Sequence, residues 1–116
     1  IDDFTVLDNL SIGISGNKNE KINKIKKVLE DLNLDVDLNT KIFKLSGGEQ
    51  QRIAIARLIL QNKSIILADE PTASVDPQNR DIILDILKKL NKEGKTIILV
   101  SHDDYVIEHT DRVIFL

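Results

Sequence analysis

Two adjacent carboxylates follow a short apolar run in the second half of the chain. The run is Ile65–Ala68, and Asp69 and Glu70 come directly after it. Because ligands of open α/β sheets bind beyond the carboxyl ends of the strands, these acids are predicted to face a ligand. The first could hold Mg²⁺ and the second could act as general base on an attacking water, as nucleotide hydrolysis requires. An acidic pair that merely ends a surface strand explains the dipeptide equally well.

A second candidate is the tripeptide Ser46-Gly47-Gly48 at the predicted start of a helix. Two glycines let backbone N–H groups approach a phosphate, the serine adds a hydroxyl, and the helix directs its positive end at the anion. A serine-capped helix start without a ligand is the competing interpretation. The longer string Leu45–Arg52 is a more specific signal than the tripeptide.

A histidine marks the third position where chemistry is predicted. His102 follows the apolar run Thr96–Val100 and lies between Ser101 and Asp103. An imidazole there could hydrogen-bond a γ-phosphate or the attacking water, although an exposed loop histidine accounts for the local sequence equally well.

The chain contains no phosphate-binding loop of the pattern G-x-x-x-x-G-K-S/T. The nearest approach is Gly13 followed by Lys18, but Asn17 stands where the second glycine must be. The backbone amides and lysine of such a loop hold most of the charge of a triphosphate. We therefore expect these 116 residues by themselves neither to hydrolyse ATP nor to bind it tightly.

Composition predicts an ordinary folded domain and excludes several classes of function. Hydrophobic residues make up 41% of the chain and charged residues 30%, so wholesale disorder is not expected. A net charge of −3 offers no basic surface for nucleic acid. The absence of cysteine excludes disulfides and thiolate metal sites, and it fits a reducing, cytoplasmic location.

The elements that must position the candidate residues fall into a helical part and a sheet part. Apolar residues at helical spacing predict an amphipathic helix from about Lys18 to Leu32. A short helix over Thr5–Leu10, capped by Thr5 or Asp3, is expected before it. The apolar face of the longer helix consists of Ile22, Ile25, Val28, Leu29 and Leu32.

The sheet part begins after a predicted helix from about Ser46 to Gln61, which is expected to bury Ile53, Ala54, Leu58 and neighbouring residues. Three short apolar runs without alternation follow, as is typical of parallel strands covered on both faces. These runs are Ser64–Ala68, Thr96–Val100 and Arg112–Leu116.

A strongly signalled helix separates the first two runs. Asp76 is a good N-cap, Pro77 suits the first helical position, and Gly94 follows the last turn. The order strand, helix, strand, short helix, strand predicts neighbouring parallel strands, with Glu70 and His102 at the same edge. The predicted fold class is therefore α/β, a helical part followed by part of a parallel sheet.

Ordered motifs over most of the chain resemble the ATP-binding cassette (ABC) family. Leu45–Arg52 is similar to the signature motif, although Glu49 stands where that family often has glutamine. Ile65–Glu70 resembles the Walker B segment, Ser74–Asp76 the D-loop, and His102 the switch histidine of the H-loop.

Two parts of the family pattern are absent from this sequence. There is no Walker A loop, and no glutamine precedes Gln50 to serve in a Q-loop, whereas Thr5–Leu10 resembles the segment just after that loop. Both missing parts precede the position of Ile1 in the family, so truncation is the expected explanation.

The resemblance implies a domain arrangement and a chemistry. Residues 1–62 would form the ABC helical subdomain with the signature helix, and residues 63–116 the C-terminal part of a P-loop NTPase core of the RecA type. Asp69 would support Mg²⁺, Glu70 would be the catalytic base, and His102 would contact the γ-phosphate of ATP.

The resemblance also implies two kinds of partner. A second nucleotide-binding domain would pack head to tail, so that the nucleotide-binding residues of this chain act on ATP seated in the partner domain. Those residues would be Ser46, Gly47, Gly48, Glu49 and Asp76. A membrane permease subunit would hold the protein at the cytoplasmic, inner face of the membrane, and no nucleic acid is expected.

The leading functional prediction is a fragment of a transporter's ATP-binding subunit that drives export, for instance of a lipoprotein, a macrolide or an antimicrobial peptide. A soluble, non-transport ABC ATPase of the ribosome-associated or DNA-repair kind is one alternative, and an inactive docking fragment is another. The segment Pro71–Asp76 looks like transporters, and the intact Asp69, Glu70 and His102 argue against loss of activity.

Overall fold

The computed structural model describes residues 4–70, 77–108 and 110, and it places a helical part before a small sheet. In chain order the elements are α1 (Val6–Ser11), α2 (Lys18–Asp31), a 3₁₀ turn (Ile42–Lys44), α3 (Gly47–Gln61), β1 (Ile65–Asp69), α4 (Pro77–Lys92), β2 (Thr96–Val100) and α5 (Asp104–Glu108). This order confirms the predicted fold class. The predicted third strand, Arg112–Leu116, and the predicted cap Asp76 lie outside the described residues.

Side-chain caps fix where the first two helices begin. The Thr5 side chain accepts a hydrogen bond from the Asp8 N–H, and the Asp8 carboxylate accepts one from the Thr5 N–H, so α1 starts with a capping box. At the start of α2, Asn17 accepts from the Glu20 N–H. Of the two caps that the sequence offers α1, the chain therefore uses Thr5.

Helices α1, α2 and α3 pack around a shared apolar core. The predicted face of α2 is confirmed, since Ile25, Leu29 and Leu32 are all buried. No helix within the described ranges is long and apolar enough to cross a bilayer.

The prediction for the buried side of α3 is only partly correct. Ile53 is buried and Leu58 is half-buried, but Ala54 is exposed. Ile55 and Ala56 are buried instead. The reason is that α3 contacts α1 and α2 as well as α4, so its buried residues are spread around the helix rather than confined to one stripe.

Strands β1 and β2 pair in parallel, as predicted, with Ile65 opposite Thr96 and Asp69 opposite Val100. Helix α4 makes the crossover between them and packs against β2. Its buried stripe consists of Ile83, Leu84, Leu87 and Leu90. Because the two strands end in register, the residues that follow them emerge at one edge of the sheet.

One face of this sheet is covered and the other is exposed. Ile66 is buried in the core that includes α4, whereas its neighbours Ile65 and Leu67 are each 63% exposed. The exposed apolar residues of the sheet are Ile65, Leu67, Ile98 and Val100. Coverage of both faces was predicted, and this is wrong for the described part of the chain, because its helices leave one side of the strands open.

Candidate functional site

The candidate acids and the histidine lie together at the carboxyl edge of the sheet. Asp69 is the last residue of β1 and pairs with Val100, the last residue of β2. Its side chain is therefore placed at the end of the strand, and the residue is exposed. Glu70 and His102 follow the two strands at this edge.

The backbone of Glu70 turns sharply out of the strand. Its φ of 47° lies in the left-handed region, which costs a residue with a side chain on the order of 1 kcal/mol or more. Two contacts hold this conformation: the Glu70 N–H donates to the Val100 carbonyl at 2.7 Å, and the Glu70 carbonyl accepts from Gln51 Nε2 at 3.4 Å. Backbone strain held in place by its surroundings is common at functional sites.

Sequence reasoning missed the contact that Gln51 makes with Glu70. Gln51 belongs to the string Leu45–Arg52, but that pattern gives it no role. The structure shows that it joins α3 to the strand edge across 19 residues of sequence. No local signal could have revealed this, because the contact depends on how the helix packs beside β1.

The carboxylate of Glu70 reaches the loop that follows β2. Its Oε1 accepts a hydrogen bond from the His102 backbone N–H at 3.1 Å and lies 3.8 Å from His102 Nε2. The Glu70 side chain is 33% exposed, while the His102 side chain is 96% exposed. One carboxylate oxygen is thus anchored, and Oε2 accepts no hydrogen bond from the described residues.

The start of α3 is a second, separately built part of the candidate site. Ser46 Oγ accepts from the Glu49 N–H at 3.1 Å, and Glu49 Oε1 accepts from the Ser46 N–H at 3.0 Å. This capping box satisfies two of the N–H groups that a helix start leaves unpaired. The N–H groups of Gly47 and Gly48 donate to no acceptor among the described residues, so these two groups are the candidate donors to a ligand.

The space around Gly47 is open. A Cβ built on Gly47 would meet nothing within 4 Å, and the residue is exposed. Packing within the described residues therefore does not require glycine here. The open space would let a ligand or a partner's surface approach the backbone closely, which is another reason for glycine at this position.

Glu49 takes part in the capping box at the start of α3, and its predicted contact with a nucleotide stays a prediction. Its carboxylate is engaged with the Ser46 N–H in the capping box. It therefore places a negative charge in the first turn of α3, where a phosphate would also bind. Asp76, the other predicted nucleotide-binding residue, lies outside the described residues.

A metal ion would have to rely on few protein ligands here. Within residues 4–70, 77–108 and 110, no group of three or more His, Asp or Glu side chains is placed to hold one. Asp69 still fits Mg²⁺, because that ion commonly takes one or two carboxylates and completes its shell with substrate phosphates and water.

Family and sequence comparisons give relatives for the chain. The family described as ABC transporter matches residues 1–73. The macrolide export ATP-binding/permease protein MacB of Pasteurella multocida is 43% identical over 97 residues, which are 84% of this chain and 15% of that protein. The cell division ATP-binding protein FtsE of Mycobacterium tuberculosis is 37% identical over 107 residues, which are 90% of this chain and 46% of that protein.

Solved structures share the same fold. A dimeric bacterial ABC transporter cassette matches with a TM-score of 0.90 at 37% identity, over 100% of this chain and 53% of that chain. A post-hydrolysis state of the same cassette, bound to ADP and Pi, matches with a TM-score of 0.90 at 36% identity. The chain spans less than half the length of the two curated relatives above.

Proposed function

The chain belongs to the ABC transporter family, and from this premise we propose that the complete protein is an ATPase that powers export through a membrane permease. The observation that carries the proposal is the Glu70 carboxylate, held by the His102 N–H at the edge where both strands end. We assign residues 1–62 to the helical subdomain and residues 63–116 to the C-terminal part of the P-loop NTPase core.

In this proposal the strand edge carries the hydrolytic chemistry. Glu70 takes a proton from the attacking water at Oε2, the oxygen that the His102 N–H leaves available. His102 donates from its exposed imidazole to an oxygen of the γ-phosphate. Asp69 holds Mg²⁺, which when bound neutralises charge on the transferring phosphoryl group.

The start of α3 binds phosphate in trans. The free N–H groups of Gly47 and Gly48 and the Ser46 hydroxyl donate to the γ-phosphate of ATP seated in a second nucleotide-binding domain. Glu49 contributes at the same head-to-tail interface by holding the Ser46 N–H in the capping box, and we assign Asp76 to that interface as well. The dimeric cassette that matches this chain supports two domains as the working unit.

The export partner is proposed from the relatives' names. The macrolide relatives and a probable syringafactin export protein of Pseudomonas syringae, 42% identical over 97 residues, are ATP-binding/permease proteins. A permease would hold the protein at the cytoplasmic face of the membrane. We propose that the exported cargo is a macrolide, a lipoprotein or an antimicrobial peptide. The permease, rather than this chain, would contact it.

Phosphate release by the complete protein with its permease, titrated with Mg²⁺, tests the ATPase. Asp69→Asn should raise the Mg²⁺ concentration needed for half-maximal turnover at least about tenfold, because it removes a metal-binding charge. Asp85→Asn, at an exposed position of α4, is the matched control. Equal behaviour of the two variants would contradict the assignment of Asp69.

Transport requires its own measurement. ATP-dependent uptake of a labelled macrolide or lipopeptide into inverted vesicles should follow turnover and disappear without the permease. Turnover with no uptake of any candidate cargo would instead favour a cassette ATPase that moves nothing across a membrane.

A further inference from the structure

A polar cluster joins the N-terminal part of α4 to the loop that carries His102. The Arg80 guanidinium lies over the Tyr105 ring, 3.6 Å from its centroid, and Arg80 Nη1 is 3.5 Å from Asp103 Oδ2. The Tyr105 hydroxyl donates to Asp81 Oδ1 at 2.5 Å. Arg80 and Asp81 lie on α4, Tyr105 lies on α5, and Asp103 lies in the connecting loop.

Asp103 uses both oxygens to hold this loop. Its Oδ1 accepts from the Tyr105 N–H at 3.0 Å, and its Oδ2 faces Arg80. The Asp103 N–H donates to Ser101 Oγ at 3.0 Å, which closes the turn around His102. Asp103 thus fixes the backbone on the far side of His102 from Glu70.

Backbone contacts do most to place the His102 side chain, whose Nε2 lies 3.8 Å from Glu70 Oε1. At 96% exposure it packs against little in the described structure. Its N–H is held by Glu70 on the sheet side, and the next residue is held by Arg80 on the helix side. If the Arg80 contact is lost, the loop loses the charge that faces Asp103, the residue next to His102.

Burial and partners make Arg80 the central member of the cluster. Its side chain is 23% exposed, compared with 39% for Asp103, and it contacts both the loop and α5. The hydrogen bond to Asp81 raises the pKa of Tyr105 above its ordinary value, so the phenol remains protonated and continues to donate.

We propose that Arg80 is a positioning residue that holds the His102 loop against the start of α4, so that the imidazole stays aligned with a phosphate bound at the strand edge. This inference rests on the proposed ATPase function. Arg80 lies near the start of α4, and its contacts with Asp103 and Tyr105 connect that helix to the segment that follows His102.

The test uses the complete protein and the variant Arg80→Met, which keeps the aliphatic packing on Tyr105 but removes the charge facing Asp103. We expect kcat to fall about tenfold, as misplacement of a catalytic group does, while KM for ATP changes less than about twofold. Arg80→Lys should recover most of the loss, since it restores a cation. Lys88→Met, at an exposed position of α4, is the matched control and should change neither constant.

Repeating the Arg80→Met substitution in a His102→Ala variant distinguishes a positioning role of Arg80 from a general effect on stability. In His102→Ala, which lacks the imidazole, adding Arg80→Met should lower kcat no further, because residues that act through one group are not additive. A further fall of the same size as in wild type would overturn the proposal and make Arg80 structural.

Amide hydrogen exchange keeps this test independent of the ATPase. Without nucleotide, Arg80→Met should speed exchange at residues 101–105 at least about tenfold while α1–α3 stay unchanged. No change there would overturn the proposal whatever the activity. If the wild-type protein showed no turnover, only the proposed ATPase function would be contradicted. Faster exchange of the loop in Arg80→Met would still support the role of Arg80 in holding the His102 loop.

Discussion

The start of α3 and the edge of the sheet are built in opposite ways. At the α3 start, the capping hydrogen bonds join Ser46 and Glu49, three residues apart. At the sheet edge, Glu70 is held by Gln51 and bonds His102, 19 and 32 residues away. The first region can form with its own helix, whereas the second exists only when α3, β1 and β2 have packed together.

This difference explains why the two regions suit different tasks. A locally capped helix start can present its N–H groups to a partner's nucleotide without help from the rest of the chain. A catalytic carboxylate needs a fixed direction, and the tertiary contacts supply it by holding Glu70 in the left-handed region. Changes at the sheet edge should therefore affect turnover most, and changes at the α3 start should affect it less, through phosphate binding.

The largest expected effect is the absence of activity in the 116-residue chain alone. Neither region holds the bulk of a triphosphate's charge, because no G-x-x-x-x-G-K-S/T loop is present. Calorimetric titration with Mg-ATP, together with phosphate release, should show no turnover and no micromolar affinity. Steady turnover from this chain would mean that the two regions suffice without such a loop.

The second-largest expected effect on activity is that of Glu70→Gln in the complete protein. The amide keeps the volume and can still accept from the His102 N–H, but it cannot take a proton, so kcat should fall about 10²–10⁴-fold. ATP affinity, measured by equilibrium binding, should stay within about threefold. Glu30→Gln on the exposed side of α2 is the control. A parallel loss of affinity and turnover would make Glu70 a structural residue.

Gly47→Ala should separate activity from folding at the α3 start. Open space around Gly47 and the helix preference of alanine predict unchanged stability, or a gain of up to about 1 kcal/mol. Turnover should fall at least about tenfold, because the methyl group obstructs approach to the free N–H groups.

Gly94→Ala provides the contrasting control for that prediction. Gly94 also has open space around it, but its φ is +101°, so alanine there should cost about 1 kcal/mol of stability. Turnover per folded molecule should be unchanged. Thermal unfolding and phosphate release on both variants check the pair, and a large stability loss in Gly47→Ala would show that its glycine serves folding.

The smallest expected effect comes from Glu49→Gln. Glutamine also forms a capping box, so the helix start should persist, while one negative charge beside the bound phosphate disappears. KM for ATP should fall about two- to fivefold with kcat unchanged. Glu20→Gln, at the equivalent position of the α2 cap, should leave KM alone. A rise in KM for Glu49→Gln would instead mean that the carboxylate assists binding.

Much of the fold was predictable because its signals are local. The apolar runs predict β1 and β2, Thr5 and Ser46 mark helix starts, and helical spacing predicts the buried face of α2. The predictions that Ala54 is buried and that both faces of the sheet are covered were wrong, because each property depends on which elements pack around the segment. Periodicity reports that a face is apolar but not what lies against it.

The sequence by itself determined which residue types stand at the strand ends and at the α3 start. Asp69, Glu70 and His102 follow apolar runs, and parallel pairing then brings them to one edge. Only the tertiary structure decided that Gln51 supports the Glu70 backbone and that Arg80 and Asp103 anchor the His102 loop. The physical reason is that these contacts join residues far apart in the chain, and their geometry is set by packing rather than by any local preference.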